Sequence, residues 1–582
     1  MEFKLKELKK FIFEICTKKM LVMWVTLITL SAIITPSCSF LFKRILNTFS
    51  NELAEIKTVI IVIVVYVLLQ YMGEILENVQ NYFGTKVFYS INQIMLKKMN
   101  EKLAKVKVEE YEKPDVYDLI SRIKDKIDES PLTGAGSILG IFFSIISILT
   151  YIIMLGTIKW YYTPLIFILS VPYFLVVIKQ GKRQYGSEVQ YSRDKRKEDY
   201  INTQLTSRDV AKDIRFYHLL KYLNCKVQNI RIKIYQIIKK NMHTAIWENA
   251  LTSVLKNMAL IICIIISCYE QIVLGINKAG DILFIITAVQ GIASRISIIV
   301  SDINAIQKFN YFLCDWSKYL ELEEESCDNN EWIEKYTIEF EHVSFSYPNT
   351  HKNVLRDISF VIPEGKTAAI VGKNGSGKST LISLILGLYS TTSGNIYIGN
   401  KNIEEVKNKL RNVSVCVFQD FVKYQMSLLD NLAAGNFGHE NVDFEEAYGG
   451  IFGEKIGDSA KIMLGQIDED GIEISGGEWQ KIAIARGLYR ENSKILIMDE
   501  PTANIDPEAE SRIYNNFDKI HGNKTVLFVS HRVSLAKLCD IIIVLENGRV
   551  IEQGTHEDLL DIKGEYYEMY KEQSALYNIK KV

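Results

Sequence analysis

No Cys-x-x-Cys pair occurs among the nine scattered cysteines, so neither a disulfide framework nor a zinc site is expected. Cys263 and Cys268 fall in an apolar run and read as small core residues. Excess charge is also missing. Lysine plus arginine number 68 and aspartate plus glutamate 69, which gives no reason to expect a nucleic-acid partner. What the chain has is length and apolar content. Its 582 residues exceed one hydrophobic core, so several domains are expected. Hydrophobic residues make up 48%, and the mean hydropathy is +0.05. With a large polar half in the same chain, that balance points to membrane spans in the other half.

Four apolar runs are long enough, or nearly so, to cross a bilayer: Leu21–Phe42, Thr58–Gly73, Ser130–Ile158 and Trp160–Ile178. Asn249–Tyr269 and Ile282–Val300 are weaker, being interrupted by Lys256 and Arg295. A soluble core helix is the other reading of these two. Six spans return the chain to its starting side. Lys4, Lys6, Lys9, Lys10, Lys18 and Lys19 place that side in the cytoplasm. The first run is too long for the core of a signal peptide, and no A-x-A site follows it. Between the spans, Glu74–Glu129 and Lys179–Glu248 are long, charged and helix-patterned, so the spans should continue into the cytoplasm.

Glu321–Glu325 is acidic and suits a linker. From about Thr337 the pattern turns to β alternation at Ile338, Phe340, Val343 and Phe345. The expected division is a transmembrane domain over 1–318, a linker over 319–336 and a soluble α/β domain over 337–582. In the soluble part, Ala368–Val371 reads as a buried strand and Leu381–Leu388 as a helix. Between them runs Gly372-Lys-Asn-Gly-Ser-Gly-Lys-Ser-Thr380. Strand, glycine loop and helix form the context of a P-loop. Gly372, Asn374, Gly375, Ser376, Gly377 and Thr380 belong to a backbone cradle for phosphates at a helix N-terminus. Lys378 is expected to reach the β- and γ-phosphates, and the Ser379 hydroxyl to bind Mg²⁺. A second buried strand, Ile495-Leu-Ile-Met-Asp-Glu500, ends in two carboxylates. Asp499 fits a Mg²⁺ partner, and Glu500 is placed to polarise an attacking water.

Ile474-Ser-Gly-Gly-Glu-Trp-Gln480, followed by Lys481-Ile-Ala-Ile-Ala-Arg486, resembles the signature of ATP-binding cassette (ABC) domains. The resemblance covers the whole chain, which looks like a bacterial half-transporter of the exporter type. It implies a membrane all-α six-helix domain followed by an α/β P-loop NTPase domain. It also implies that Ser475 and Gly477 meet the γ-phosphate held by another subunit, and that Gly476 and Glu478 belong to the same nucleotide-binding signature. The family's usual residue at 478 is Gln, and this chain has Glu478 there. Tyr347 matches the aromatic that stacks on adenine. Gln419 matches the glutamine that senses Mg²⁺, Asp506 a loop at the dimer interface, and His531 the switch histidine. The stretches Lys113–Ile120 and Asp213–Lys221 look like the family's coupling helices.

One chain has one P-loop and one signature, so a second half-transporter is the implied partner. Both motif halves are intact, which favours a homodimer; a heterodimer stays open. The implied cofactors are ATP and Mg²⁺, and the implied place is the bacterial cell membrane, with the cassette cytoplasmic. The expected function is ATP-driven export of a substrate, and the Glu-Trp-Gln form points to peptides. Only the stretch up to Met20 precedes the first run, so no leader-cleaving peptidase domain is expected there. Drug or lipid export and an ATP-gated receptor or channel are the alternatives. An importer is open too, whereas the six runs argue against a soluble repair or translation protein. Lys256 and Arg295 either line a cavity that favours anionic cargo or pair internally, with Glu74, Glu77, Glu248 or Asp302 as candidates.

Overall fold

The computed structural model describes residues 18–578 except 50–55, 274–277, 326–331, 349, 351, 436–460, 468, 489, 491, 502–504, 506–507, 509, 513–521 and 532. The chain divides into two units. The first comprises the chain up to Ala104 together with Asp118–Leu322. Its long helices are α1 (Lys18–Phe49), α2 (Ile56–Leu103), α3 (Ser130–Gly156), α4 (Tyr162–Thr206), α5 (Leu220–Ile272) and α6 (Ala279–Leu320). Among the described residues α1, α2, α3, α5 and α6 are long and apolar enough to cross a membrane. Helix α4 holds most of the Trp160–Ile178 run, with part of its side chains outside the described residues.

A helix satisfies its own backbone, which is the condition for crossing hydrocarbon. At about 1.5 Å per residue the 48 residues of α2 extend roughly 70 Å, more than twice a bilayer core of about 30 Å. The apolar window of α2 has none of its residues buried, and Ile60, Ile61, Val64 and Leu68 face outward. The unit is held instead by aromatic packing along α6. Phe309, Phe312, Trp316 and Tyr319 recur at helical spacing and bury against Met95 and Met99 of α2. The Tyr319 hydroxyl donates to the Met99 carbonyl at 2.6 Å.

The second unit comprises Lys105–Tyr117 and the chain from Glu323 onward. Lys105–Tyr117 is held there by polar contacts. Glu109 Oε1 accepts the Ser390 N–H at 2.7 Å, and Glu112 accepts from the Tyr389 hydroxyl. The strands are β1 (Ile338–Phe345), β2 (Leu355–Ile362), β3 (Thr367–Val371), β4 (Ser393–Ile398), β5 (Lys401–Asn402), β6 (Ser414–Val417), β7 (Ile495–Asp499), β8 (Thr525–Val529), β9 (Ile541–Glu546) and β10 (Arg549–Gly554). Three helices matter for the site: α7 (Lys378–Ile385), α8 (Gly476–Leu488) and α9 (Glu565–Asn578).

One sheet is antiparallel in the order β2-β1-β4-β5; the other runs β10-β9-β3-β8-β7-β6. In the larger sheet β9, β3, β8, β7 and β6 are parallel, and β10 is antiparallel to β9. Its central strands β3, β7 and β8 are buried at every position, and apolar but for Thr367, Asp499 and Thr525 at their ends, because both faces are covered. Ile495 and Ile497 join the core shared with the smaller sheet, whereas Leu496 and Met498 join the core under α8. Leu527 and Val529 alternate with Val526 and Phe528 in the same way.

Candidate functional site

Strand β3 leaves the sheet at Val371 and turns at once into the glycine loop. A Cβ on Gly372 would lie 2.2 Å from the Leu545 carbonyl oxygen. Gly377 has φ of 105°, and a Cβ there would lie 2.7 Å from Cδ2 of Leu355. Side chains are excluded at both points, which keeps the loop tight over the start of α7. The free N–H groups of that helix end are turned toward the loop. Lys378 is buried, and its Nζ donates to the carbonyls of Gly372 (2.8 Å) and Lys373 (3.2 Å). Burial lowers the pKa of its ammonium, opposed by Glu500 and Asp499. The buried hydroxyl of Ser376 has no hydrogen-bond partner. An unpartnered hydroxyl inside a ring of backbone N–H groups fits a phosphate oxygen.

The neighbouring strands end at the same level. β3, β8, β7 and β6 lie side by side, so their carboxyl ends bring together the glycine loop, His531, Asp499–Glu500 and Gln419. Burial pushes the Asp499 carboxyl up to about 6, opposed by the Ser379 hydroxyl that donates to it. Glu500 sits at φ of 47°, a left-handed conformation that costs about 1–3 kcal/mol outside glycine. Its N–H donates to the Val529 carbonyl at 2.8 Å. Its Oε2 accepts from Gln419 Nε2 at 3.0 Å, and its Oε1 lies 3.1 Å from Nδ1 of His531. Sequence reasoning missed Gln480, whose Nε2 donates to the carbonyls of Glu500 (3.2 Å) and Pro501 (2.8 Å). That amide props the strained turn from the buried face of α8.

Ser475 and Glu478 form a reciprocal cap at the start of α8. The Ser475 N–H donates to Glu478 Oε2 at 2.7 Å, and the Glu478 N–H donates to Ser475 Oγ at 3.3 Å. Neither side chain hydrogen-bonds to the glycine loop of its own chain. The Tyr347 hydroxyl is 3.0 Å from Thr380 Oγ1, and its ring packs edge-on against Phe345 and Tyr389. Asp506 lies outside the described residues. Among the described residues no group of three or more His, Cys, Asp or Glu forms a metal cluster. Ser379 and Asp499 are nonetheless an oxygen pair of the kind a hard cation accepts.

In the first unit the Arg295 guanidinium lies 4.4 Å from the ring centroid of Phe143, and no carboxylate among the described residues pairs with it. Glu248, one of its candidate partners, pairs with Arg183 at 2.8 Å. The side chain of Lys256 lies outside the described residues.

Residues 355–503 match the family described as ABC transporter, and residues 21–294 match the ABC transporter transmembrane region. The chain belongs to the ABC transporters. Both parts lie in one chain, so it is a half-transporter of the exporter type, a multi-pass membrane protein that binds and hydrolyses ATP to drive translocation. It is 28% identical over 538 residues to the subtilin transport ATP-binding protein SpaT of Bacillus subtilis, covering 90% of this chain and 86% of that one. It is 26% identical to the nisin transport ATP-binding protein NisT of Lactococcus lactis subsp. lactis, covering 96% and 94%. An ATP-dependent lipid A-core flippase of Coxiella burnetii is 39% identical, over 41% of each chain. The fold is that of a bacterial Atm1-family ABC exporter solved with ATP bound. The TM-score is 0.78 at 21% identity, covering 96% of this transporter and 98% of that chain.

Proposed function

We propose that this transporter works as a dimer in the bacterial cytoplasmic membrane, with its cassette in the cytoplasm, and exports a peptide. The observation that carries the cargo class is the end-to-end similarity to the subtilin and nisin transport proteins, which spans both the membrane and the cassette parts. In this reading each P-loop faces the signature of the other copy, and a homodimer carries two complete sites. Lys378 holds the β- and γ-phosphates, Ser376 and the loop N–H groups cradle them, and Tyr347 meets adenine. Ser475 with Gly476 and Gly477 approaches the γ-phosphate from the partner, held in place by Glu478. Ser379, Asp499 and Gln419 are the residues that would hold Mg²⁺, which neutralises charge on the phosphate oxygens when bound.

Glu500 accepts the proton of the attacking water, and His531 fixes its carboxylate. ATP favours the closed pair of cassettes, and phosphate release removes the contacts that hold it. Lys113–Ile120 and Asp213–Lys221 would pass that change to the membrane helices. ATP-dependent uptake of radiolabelled subtilin or nisin into inside-out vesicles tests the reading. Uptake supports it, and no uptake alongside ATP-driven flipping of a labelled lipid replaces it. Lipid transport is the second reading, favoured by the 39% identity to the lipid A-core flippase over 41% of the chain.

A further inference from the structure

The C-terminal helix α9 reaches the nucleotide site at two points outside the motifs already described. In its first turn Glu565 Oε1 lies 2.6 Å from Nζ of Lys373, the second residue of the glycine loop. Lys373 is 68% exposed, so this ion pair contributes little. The second contact has a different character. Gln573 Oε1 accepts the N–H of Val533 at 2.8 Å, and Gln573 Nε2 donates to the carbonyl of His531 at 2.6 Å. One amide thus satisfies a donor and an acceptor of the same turn, as a neighbouring strand would.

That turn is also held from the core side, where the Ser530 N–H donates to the Ile370 carbonyl at 3.2 Å and Val533, Leu535 and Ala536 are buried. It leaves β8 at Val529 and enters a helix of only four residues, Val533–Ala536, too short to be stable by itself. The His531 side chain is 48% exposed, and its ring meets Glu500. The helix that supplies Gln573 is firmly seated. Tyr566 is fully buried with its hydroxyl 2.8 Å from His556 Nδ1, and Met569 and Tyr570 pack on the core. The N–H groups of Glu565 and Tyr566 donate to the Glu552 carboxylate at 2.6 and 3.2 Å.

We propose that Gln573 is a positioning residue for ATP hydrolysis. By clamping the backbone at His531 and Val533, it holds the His531 imidazole against Glu500 and couples the C-terminal helix to turnover. The proposal rests on the reading of Glu500 as proton acceptor and His531 as its partner.

The test uses the full-length transporter in liposomes and measures ATPase rate against ATP concentration. Gln573→Met keeps the length of the side chain and loses both hydrogen bonds; Gln573→Ala is the second variant, and retained nucleotide binding reports folding. The expected result is a fall in kcat of about 5- to 20-fold, with KM for ATP within about twofold. In a His531→Ala background, read by single turnover, Gln573→Met should cause no further fall, because both changes remove one function. A kcat within about twofold of the parent overturns the proposal. So does a rise in KM matching the fall in kcat, or an equal further fall in the His531→Ala background. Near-parental turnover in His531→Ala alone would fail the underlying reading and the proposal with it. A slow His531→Ala beside an unaltered Gln573→Met fails the proposal only.

Discussion

Glu500 Oε1 lies 3.1 Å from Nδ1 of His531, 31 residues further along the chain. Strand pairing brings them together. β7 and β8 are parallel neighbours in which Asp499 is opposite Val529, so the residues just past each strand end emerge together. Gln419, just past the end of β6, reaches the other carboxylate oxygen at 3.0 Å. The carboxylate is therefore held on both oxygens beside the phosphate cradle, with 11% of its side chain exposed.

Glu500→Gln keeps the shape of that side chain and removes its basicity. Phosphate release should fall on the order of 10²–10⁴-fold, while ATP binding changes little. Turnover near the parental rate would show that another group takes the proton.

Asp499 offers a pH test. Burial raises its folded pKa from 3.8 to about 6, so the folded state binds a proton the unfolded state has already released. Its stabilising contribution is present below pH ~4 and is lost as pH rises through about 6. Above that, the ionised carboxylate opposes folding by at most about 3 kcal/mol. Asp499→Asn should therefore raise the Tm of the nucleotide-free protein at pH 7.5 by several degrees, and the gain should vanish near pH 4. A gain that persists at low pH contradicts the assignment of the cost to ionisation.

The signature carries its own control. Glu478→Gln keeps an acceptor for the Ser475 N–H and should leave thermal unfolding unchanged. Glu478→Ala removes the reciprocal cap and should lower Tm by about 2–4 °C for a loss of roughly 1 kcal/mol. Equal loss in both variants would mean that charge, not capping, is what Glu478 contributes.

Gly377→Ala adds a Cβ 2.7 Å from Leu355 at φ of 105°. Both effects push the loop away from α7. A fluorescent ATP analogue should bind at least about tenfold more weakly, a loss of about 1.4 kcal/mol or more. Parental affinity would show that the loop has room to shift.

Much of this arrangement was legible before any coordinates. Leu381–Leu388 read as helix after a strand and a glycine loop, and α7 begins at Lys378, inside the loop motif. The two-carboxylate strand end at Asp499 and Glu500 was legible for the same reason, since an apolar run that stops at charges marks a strand leaving a core. The helix pattern after Thr58–Gly73 was legible too: α2 continues past the apolar run to Leu103, and its later turns bury Val87, Ile91, Met95 and Met99. Gln480 and Gln573 carried no signal, since a polar residue in a helix looks the same whether it meets water or a turn 20 or 42 residues away.

The sequence by itself determined that phosphates are bound and that membrane is crossed, because both depend on local features: backbone N–H groups freed by glycine, and unbroken apolar length. Only the tertiary structure decided which side chains meet. The order β3-β8-β7-β6 sets His531 and Gln419 on the two oxygens of Glu500, and α9 sets Gln573 under His531. It also set Arg295 over Phe143, with none of the acids that residue spacing offered as partners. These are contacts between distant segments, fixed by strand order and helix packing, and spacing along the chain does not encode them.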